Sequence, residues 1–144
     1  MSNNTWHHVV ATFENGVGSK AYLDGTIDGT LNFTDTLRAM PLSHTLVAIG
    51  RHPVNSDYHF LGNIDEVAIW KVLLTADDVD KIYNEGTPTD LMDASSYDSG
   101  DLTGNLLGYW RFEENTGVTV ADSSANDNEG TIAADATWSS AVPS

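Results

Sequence analysis

The sequence predicts an all-β protein, an antiparallel sandwich carrying one short helix. Three observations lead there. Short segments rich in β-branched and aromatic residues recur along the chain. Asn15-Gly16, Asp24-Gly25 and Asp28-Gly29 punctuate them with residues that tolerate the positive φ of tight hairpin turns. One stretch, by contrast, repeats its apolar residues with the period of a helix.

Taken in order, WHHVVATF (Trp6 to Phe13) reads as a strand. It carries apolar residues on both faces, as expected of a strand buried on both sides. ENGVGS supplies the turn and KAYLDG (Lys20 to Gly25) the return strand, so the pair forms a hairpin. TIDGTLNF follows as a further short strand. TLVAIGRH (Thr45 to His52), the polar loop PVNSDY and HFLGNIDEVAIW (His59 to Trp70) make the next two strands and their connection. The helix is expected over about 75–85. Thr75 and Asp78 form a capping-box start, with Asp78 in place of the usual Glu or Gln. Val79, Ile82 and Tyr83 make its apolar stripe, and Gly86 and Pro88 end it.

Residues 87–104 are rich in Asp, Ser, Thr and Gly and read as a long loop or linker. A C-terminal strand unit spans 105–138. In its strand GNLLGYWRFEE, strict alternation puts Leu106, Gly108, Trp110 and Phe112 on one face, the expected core face. Leu107, Tyr109, Arg111 and Glu113 fall on the other. TIAADATW is the last expected strand. The 144 residues suffice for a single domain with a real core.

Charge is one-sided: 21 acidic against 6 basic residues, a formal net charge of −15. That balance disfavours phosphate backbones and anionic membranes, so neither nucleic acid nor membrane is an expected partner. It fits a salty environment or bound calcium, and equally plain solubility. Cysteine is absent, which removes disulfides, thiolate metal sites and a cysteine nucleophile. No run approaches the ~20 apolar residues of a membrane span. Met1 is followed by neither a basic end nor an apolar core, so export would depend on a signal elsewhere or on a larger chain.

Several stretches together resemble the laminin-G-like, concanavalin A-like lectin/glucanase superfamily: NTWHHVVATFENGVGSKAYLDG, LVAIG and LGNIDEVAIWKVLLTADDVDKIYNEG, covering residues 4 to 86. The resemblance implies a jelly-roll-like sandwich. In that family these segments form the second half of the roll. The opening half, with its Asp-Gly-x-x-Asp-Tyr strand, is not found ahead of them. The tail LLGYWRFEENTGVTVADSSANDNEGT, however, looks like the family's opening strands. Three arrangements follow: two tandem modules, a piece of a longer gene, or a permuted domain closed from its C-terminal side. Permutation, in a partial chain, is the expectation. Exposed strand edges in a partial sandwich point to a homo-oligomer or a larger parent protein.

The family also contains glucanases whose catalytic strand reads Glu-x-Asp-x-Glu. Here the corresponding run is Asn63-Ile64-Asp65-Glu66-Val67. Adjacent Asp65 and Glu66 are expected on opposite faces of a strand, as are Glu113 and Glu114, so neither pair converges as glycoside hydrolysis requires. Asp65 is expected to hydrogen-bond neighbouring backbone. His7 and His8 also face apart, and the resemblance makes them fold signature residues.

Two loops carry candidate sites. Arg51, His52, Asn55, Asp57, Tyr58 and His59 combine planar polar groups with a ring, the usual means of holding sugar hydroxyls and the apolar sugar face; the alternative is an ordinary exposed loop. Asp122, Asn126 and Asn128 place oxygens at alternating positions, as calcium prefers; the alternative is an Asx-turn loop held by its own side chains. It is not an EF-hand, because Asp127 stands where that loop needs glycine.

These features predict a non-catalytic binding or adhesion module for carbohydrate, on a bacterial or phage surface, outside the cell or on a virion. A structural domain assembling protein with protein is the alternative, and a glycoside hydrolase or lyase the third.

Overall fold

A computed structural model describes residues 4–32, 47–52 and 58–143. Strands β1 (Val9–Glu14), β2 (Gly18–Leu23) and β3 (Thr26–Asn32) form a three-stranded antiparallel sheet in that order. Strand β4 (Val67–Trp70) precedes helix α1 (Ala76–Tyr83). It pairs antiparallel with β5 (Leu106–Trp110), and β6 (Thr119–Val120) pairs with β7 (Gly130–Thr131). The described residues therefore hold antiparallel strands and one helix, the fold class that the sequence predicts.

The first hairpin forms as its turn chemistry dictates. Gly16 has φ +75°, and Val9 pairs with Leu23 through Glu14 with Gly18. The second turn holds Asp24 at φ +49° and Gly25 at φ +78°. Gly25 is needed twice over, because a Cβ there would lie 2.9 Å from Cδ1 of Tyr83 on α1.

Helix α1 begins as the capping box predicts. The Thr75 hydroxyl accepts the Asp78 N–H at 3.1 Å, and the Asp78 carboxylate accepts the Thr75 N–H at 2.9 Å. Its last turn closes at Asn84, which has φ +44°. Val79 and Ile82 are buried, and with Tyr22, Leu74, Leu91, Tyr97, Leu106 and Tyr109 they form the core. The loop 87–104 contributes two of these side chains. The Tyr97 hydroxyl donates to the Leu91 carbonyl at 2.7 Å, and Lys81 Nζ donates to the Tyr97 carbonyl at 2.8 Å.

Four expectations about strands need correction. The first concerns β5. Trp70 pairs with Leu106 while Ile69 pairs with Gly108, so Leu107 is an extra residue, a β-bulge. A one-residue insertion reverses the alternation beyond it. Tyr109 thus joins Leu106 on the core face and is 0 % exposed. Trp110 turns to the other face and folds over Gly108, where a Cβ would lie 2.7 Å from ring atom Cζ2. The second concerns β1, which is covered on one side only. Thr12 is buried, but Val9 is 60 % exposed and Ala11 and Phe13 are also exposed, because α1 and Leu74 lie against the opposite face. The third concerns the stretch from His59 to Trp70. It holds a single bridge, Arg51 to His59, and then β4. Glu66 at φ +51° interrupts extended geometry before β4 begins. Likewise TIAADATW contributes only Thr131 to a strand, through β7.

Candidate functional site

The hairpin that carries Arg51, His52, Tyr58 and His59 is built around one antiparallel bridge. His52 donates its N–H to the Tyr58 carbonyl at 3.0 Å, and Phe60 donates to the Gly50 carbonyl at 2.7 Å. Arg51 and His59 lie between these bonds as a non-hydrogen-bonded pair, whose side chains stand close on one face. Both reach the same carboxylate: Arg51 Nη1 lies 3.9 Å from Asp135 Oδ1, and His59 Nδ1 lies 3.4 Å from Asp135 Oδ2.

Alternation sends His52 and Tyr58 to the other face. Their rings meet edge to face with centroids 6.3 Å apart. Tyr58 is 66 % exposed, and Phe60 and Leu61 beside it are also exposed. The structure therefore separates the predicted residues into a charged face and an aromatic face. Asn55 and Asp57, the remaining two, lie outside the described residues. Asp135 was not legible as a partner, because only the folded chain brings its turn to the hairpin.

The loop after β6 is bolted to β5. Asp122 Oδ1 accepts the N–H of Tyr109 at 2.9 Å and of Ser124 at 2.8 Å. Its Oδ2 accepts the Ser124 hydroxyl at 2.8 Å and the Asn128 N–H at 2.9 Å. Burial raises the Asp122 pKa, but these bonds outweigh it and hold the carboxyl below its ordinary range. The side-chain amides of Asn126 and Asn128 donate to the Leu106 and Leu107 carbonyls, both at 2.7 Å. Those two carbonyls flank the bulge, so all three predicted calcium residues engage the backbone of β5 or its own loop. No group of three His, Cys, Asp or Glu side chains poised for a metal occurs among the described residues.

A further polar cluster lies at the end of the β4–β5 pair. The Tyr109 hydroxyl donates to Glu66 Oε2, and Arg111 Nε lies 3.6 Å from Glu66 Oε1. Arg111 Nη1 also lies 3.9 Å from Asp90 Oδ2. Burial pushes the Glu66 carboxyl up, against the pull of Tyr109 and Arg111. The same contact and burial push the Tyr109 hydroxyl upward. Because Glu66 has a left-handed backbone, strand alternation does not describe Asp65 and Glu66. What the structure does show is that both Glu66 oxygens face protein groups.

His7 and His8 serve the first sheet. His7 Nδ1 lies 2.8 Å from Asp24 Oδ2, and Asp24 Oδ1 accepts the His8 N–H at 3.0 Å. The His8 ring stacks on Tyr83 with centroids 5.8 Å apart. Burial lowers the His8 pKa, partly countered by Asp24. These contacts tie the start of β1, the second turn and α1 together.

The family model of the concanavalin A-like lectin/glucanases superfamily matches residues 1–80. The chain belongs to that superfamily. The matched residues of this concanavalin A-like chain include β1 to β4 and the first turn of α1, so the Trp-His-His and Asp-Gly signatures lie within them. No curated protein matches the chain. Among solved structures, it is similar to the 2.1 Å crystal structure of an S-layer domain-containing protein (residues 221–444) from Clostridium thermocellum ATCC 27405. Identity is 22 %, coverage is 58 % of this chain and 41 % of that one, and the TM-score is 0.46. The chain thus spans less than half the length of that structure. No helix among the described residues is long and apolar enough to cross a membrane.

Proposed function

We propose that this chain is a non-catalytic binding module of an exported or surface protein and that it binds carbohydrate. The observation that carries the reading is the exposed Tyr58 ring, braced edge-on by His52 at the end of a hairpin. A rigid ring open to solvent offers the apolar face of a pyranose a stacking partner at small conformational cost. Membership of a lectin-containing superfamily supports it. The carboxylates work against catalysis: Glu66 is engaged by Tyr109 and Arg111, and Glu114 Oε1 accepts the Ala121 N–H at 2.8 Å. The strongly acidic surface supports a soluble module acting away from phosphate polymers.

A glycan array followed by calorimetry tests the reading, with Tyr58→Ala as the control. Binding of neutral glycans that drops at least about tenfold in Tyr58→Ala is the expected result. No glycan binding at all, together with stable oligomers in light scattering, would replace it with a structural role in protein assembly.

A further inference from the structure

The Arg51–His59 pair and Asp135 make an arrangement that a stability role explains poorly. The two contact distances, 3.9 and 3.4 Å, exceed ordinary hydrogen-bond lengths. Asp135 is 54 % exposed and stands in a short turn closed by the Ala136 N–H donating to the Ala133 carbonyl at 3.0 Å. An exposed, loosely seated ion pair contributes little to stability. Yet the bridge sets the planar guanidinium fork and an imidazole on one face, aimed at one carboxylate position. In a chain with a net charge of −15, such a convergence of a cationic side chain and an imidazole is set against the surrounding field.

We propose that Asp135 is a displaceable stand-in for the carboxylate of an acidic sugar, so that the Ala133–Ala136 turn gates a uronate-binding notch between Arg51 and His59. This rests on the carbohydrate reading and adds the ligand's charge to it. The incoming carboxylate takes two parallel N–H bonds from Arg51, at lengths that Asp135 does not attain, and a third from His59. Asp135 then swings to solvent. Tyr58 stands on the other face of the hairpin, so a neutral pyranose stacked there and a uronate carboxylate between Arg51 and His59 belong to separate sugar units.

Calorimetry on the full chain with glucuronate, glucose and polyglutamate tests this. Asp135→Ala is expected to tighten glucuronate binding by about twofold to fivefold, the range set by the weak pair it removes. Arg51→Ala is expected to weaken it at least about tenfold, and Arg51→Lys less, because it keeps charge and loses the fork. Glucose binding should not move in Asp135→Ala. Unchanged circular dichroism melts confirm that each variant folds. Glucuronate binding no better than glucose, or weakened by Asp135→Ala, overturns the stand-in role while the carbohydrate reading survives. Arg51-dependent binding of polyglutamate without glucuronate binding overturns the sugar assignment. Failure of every glycan overturns both.

Discussion

Ser99 donates both its backbone N–H, at 2.8 Å, and its hydroxyl, at 2.7 Å, to the two carboxylate oxygens of Asp78. Asp78 is fully buried and also accepts the Asp98 N–H at 3.0 Å and the Thr75 N–H and hydroxyl. A residue at the start of a helix thereby anchors the far end of a long loop. Burial pushes the Asp78 carboxyl up, but the bonds from Ser99 and Thr75 prevail and hold it at about 2, against an ordinary 3.8.

Asp78→Asn is expected to cost about 3 kcal/mol in urea unfolding at pH 7, since an amide –NH2 would face donors instead of accepting from them. The depressed pKa sets the sign of the pH effect. The contribution of Asp78, about 2 kcal/mol, is present above pH 4 and is lost as pH falls toward 2. The gap between variant and wild type should narrow over that window. A gap that stays constant contradicts the account.

Glu66 has the opposite sign. Its carboxyl is raised, so the folded chain holds that proton more tightly than the unfolded chain does. The stability it contributes is full below the unfolded value and declines as pH rises through the folded one. Glu66→Gln keeps an acceptor for the Tyr109 hydroxyl and removes the buried charge. Relative to wild type, its melting temperature should improve between pH 3 and pH 7. A loss over that interval would show that the Arg111 contact outweighs desolvation.

Gly25→Ala is expected to destabilise the chain by about 1–3 kcal/mol. The new methyl meets both a left-handed backbone, φ +78°, and the Tyr83 ring. Thermal melts of Gly25→Ala and Gly25→Ala/Tyr83→Ala should not be additive, because removing the ring relieves the second of these costs.

Asp122→Ala removes the acceptor of four hydrogen bonds and should cost about 2–4 kcal/mol. Amide exchange should accelerate at Tyr109, Ser124 and Asn128, the three residues whose N–H groups it holds. Because these bonds already organise the loop, the melting temperature should not change on adding a chelator. A drop of several degrees in wild type that disappears in Asp122→Ala would place calcium at this loop.

Much of this was readable from the chain. The capped helix and the first hairpin follow from short-range rules, and each forms as expected; the His7–Asp24 contact joins residues 17 apart and was not foreseen. Of the candidate loop, Arg51, His52, Tyr58 and His59 were legible as polar and aromatic residues, but their division into two faces was not. It became visible only once the Arg51–His59 bridge fixed the register. The aromatic strand was misread for a related reason. Trp110 is the larger and more apolar ring, so strict alternation favours it over Tyr109 as a core residue.

The sequence by itself determined where the chain turns, where its helix starts and stops, and which superfamily its first 80 residues match. Those features depend on contacts a few residues apart, such as Thr75 with Asp78, and on backbone angles that only certain residues adopt. The tertiary structure alone decided that Leu107 bulges, that Tyr109 is therefore buried, that Ser99 closes on Asp78, and that Asp135 meets Arg51 and His59. Each of these depends on pairing register and on packing between distant segments. A shift of one residue in a strand exchanges its faces, and local composition records no such shift.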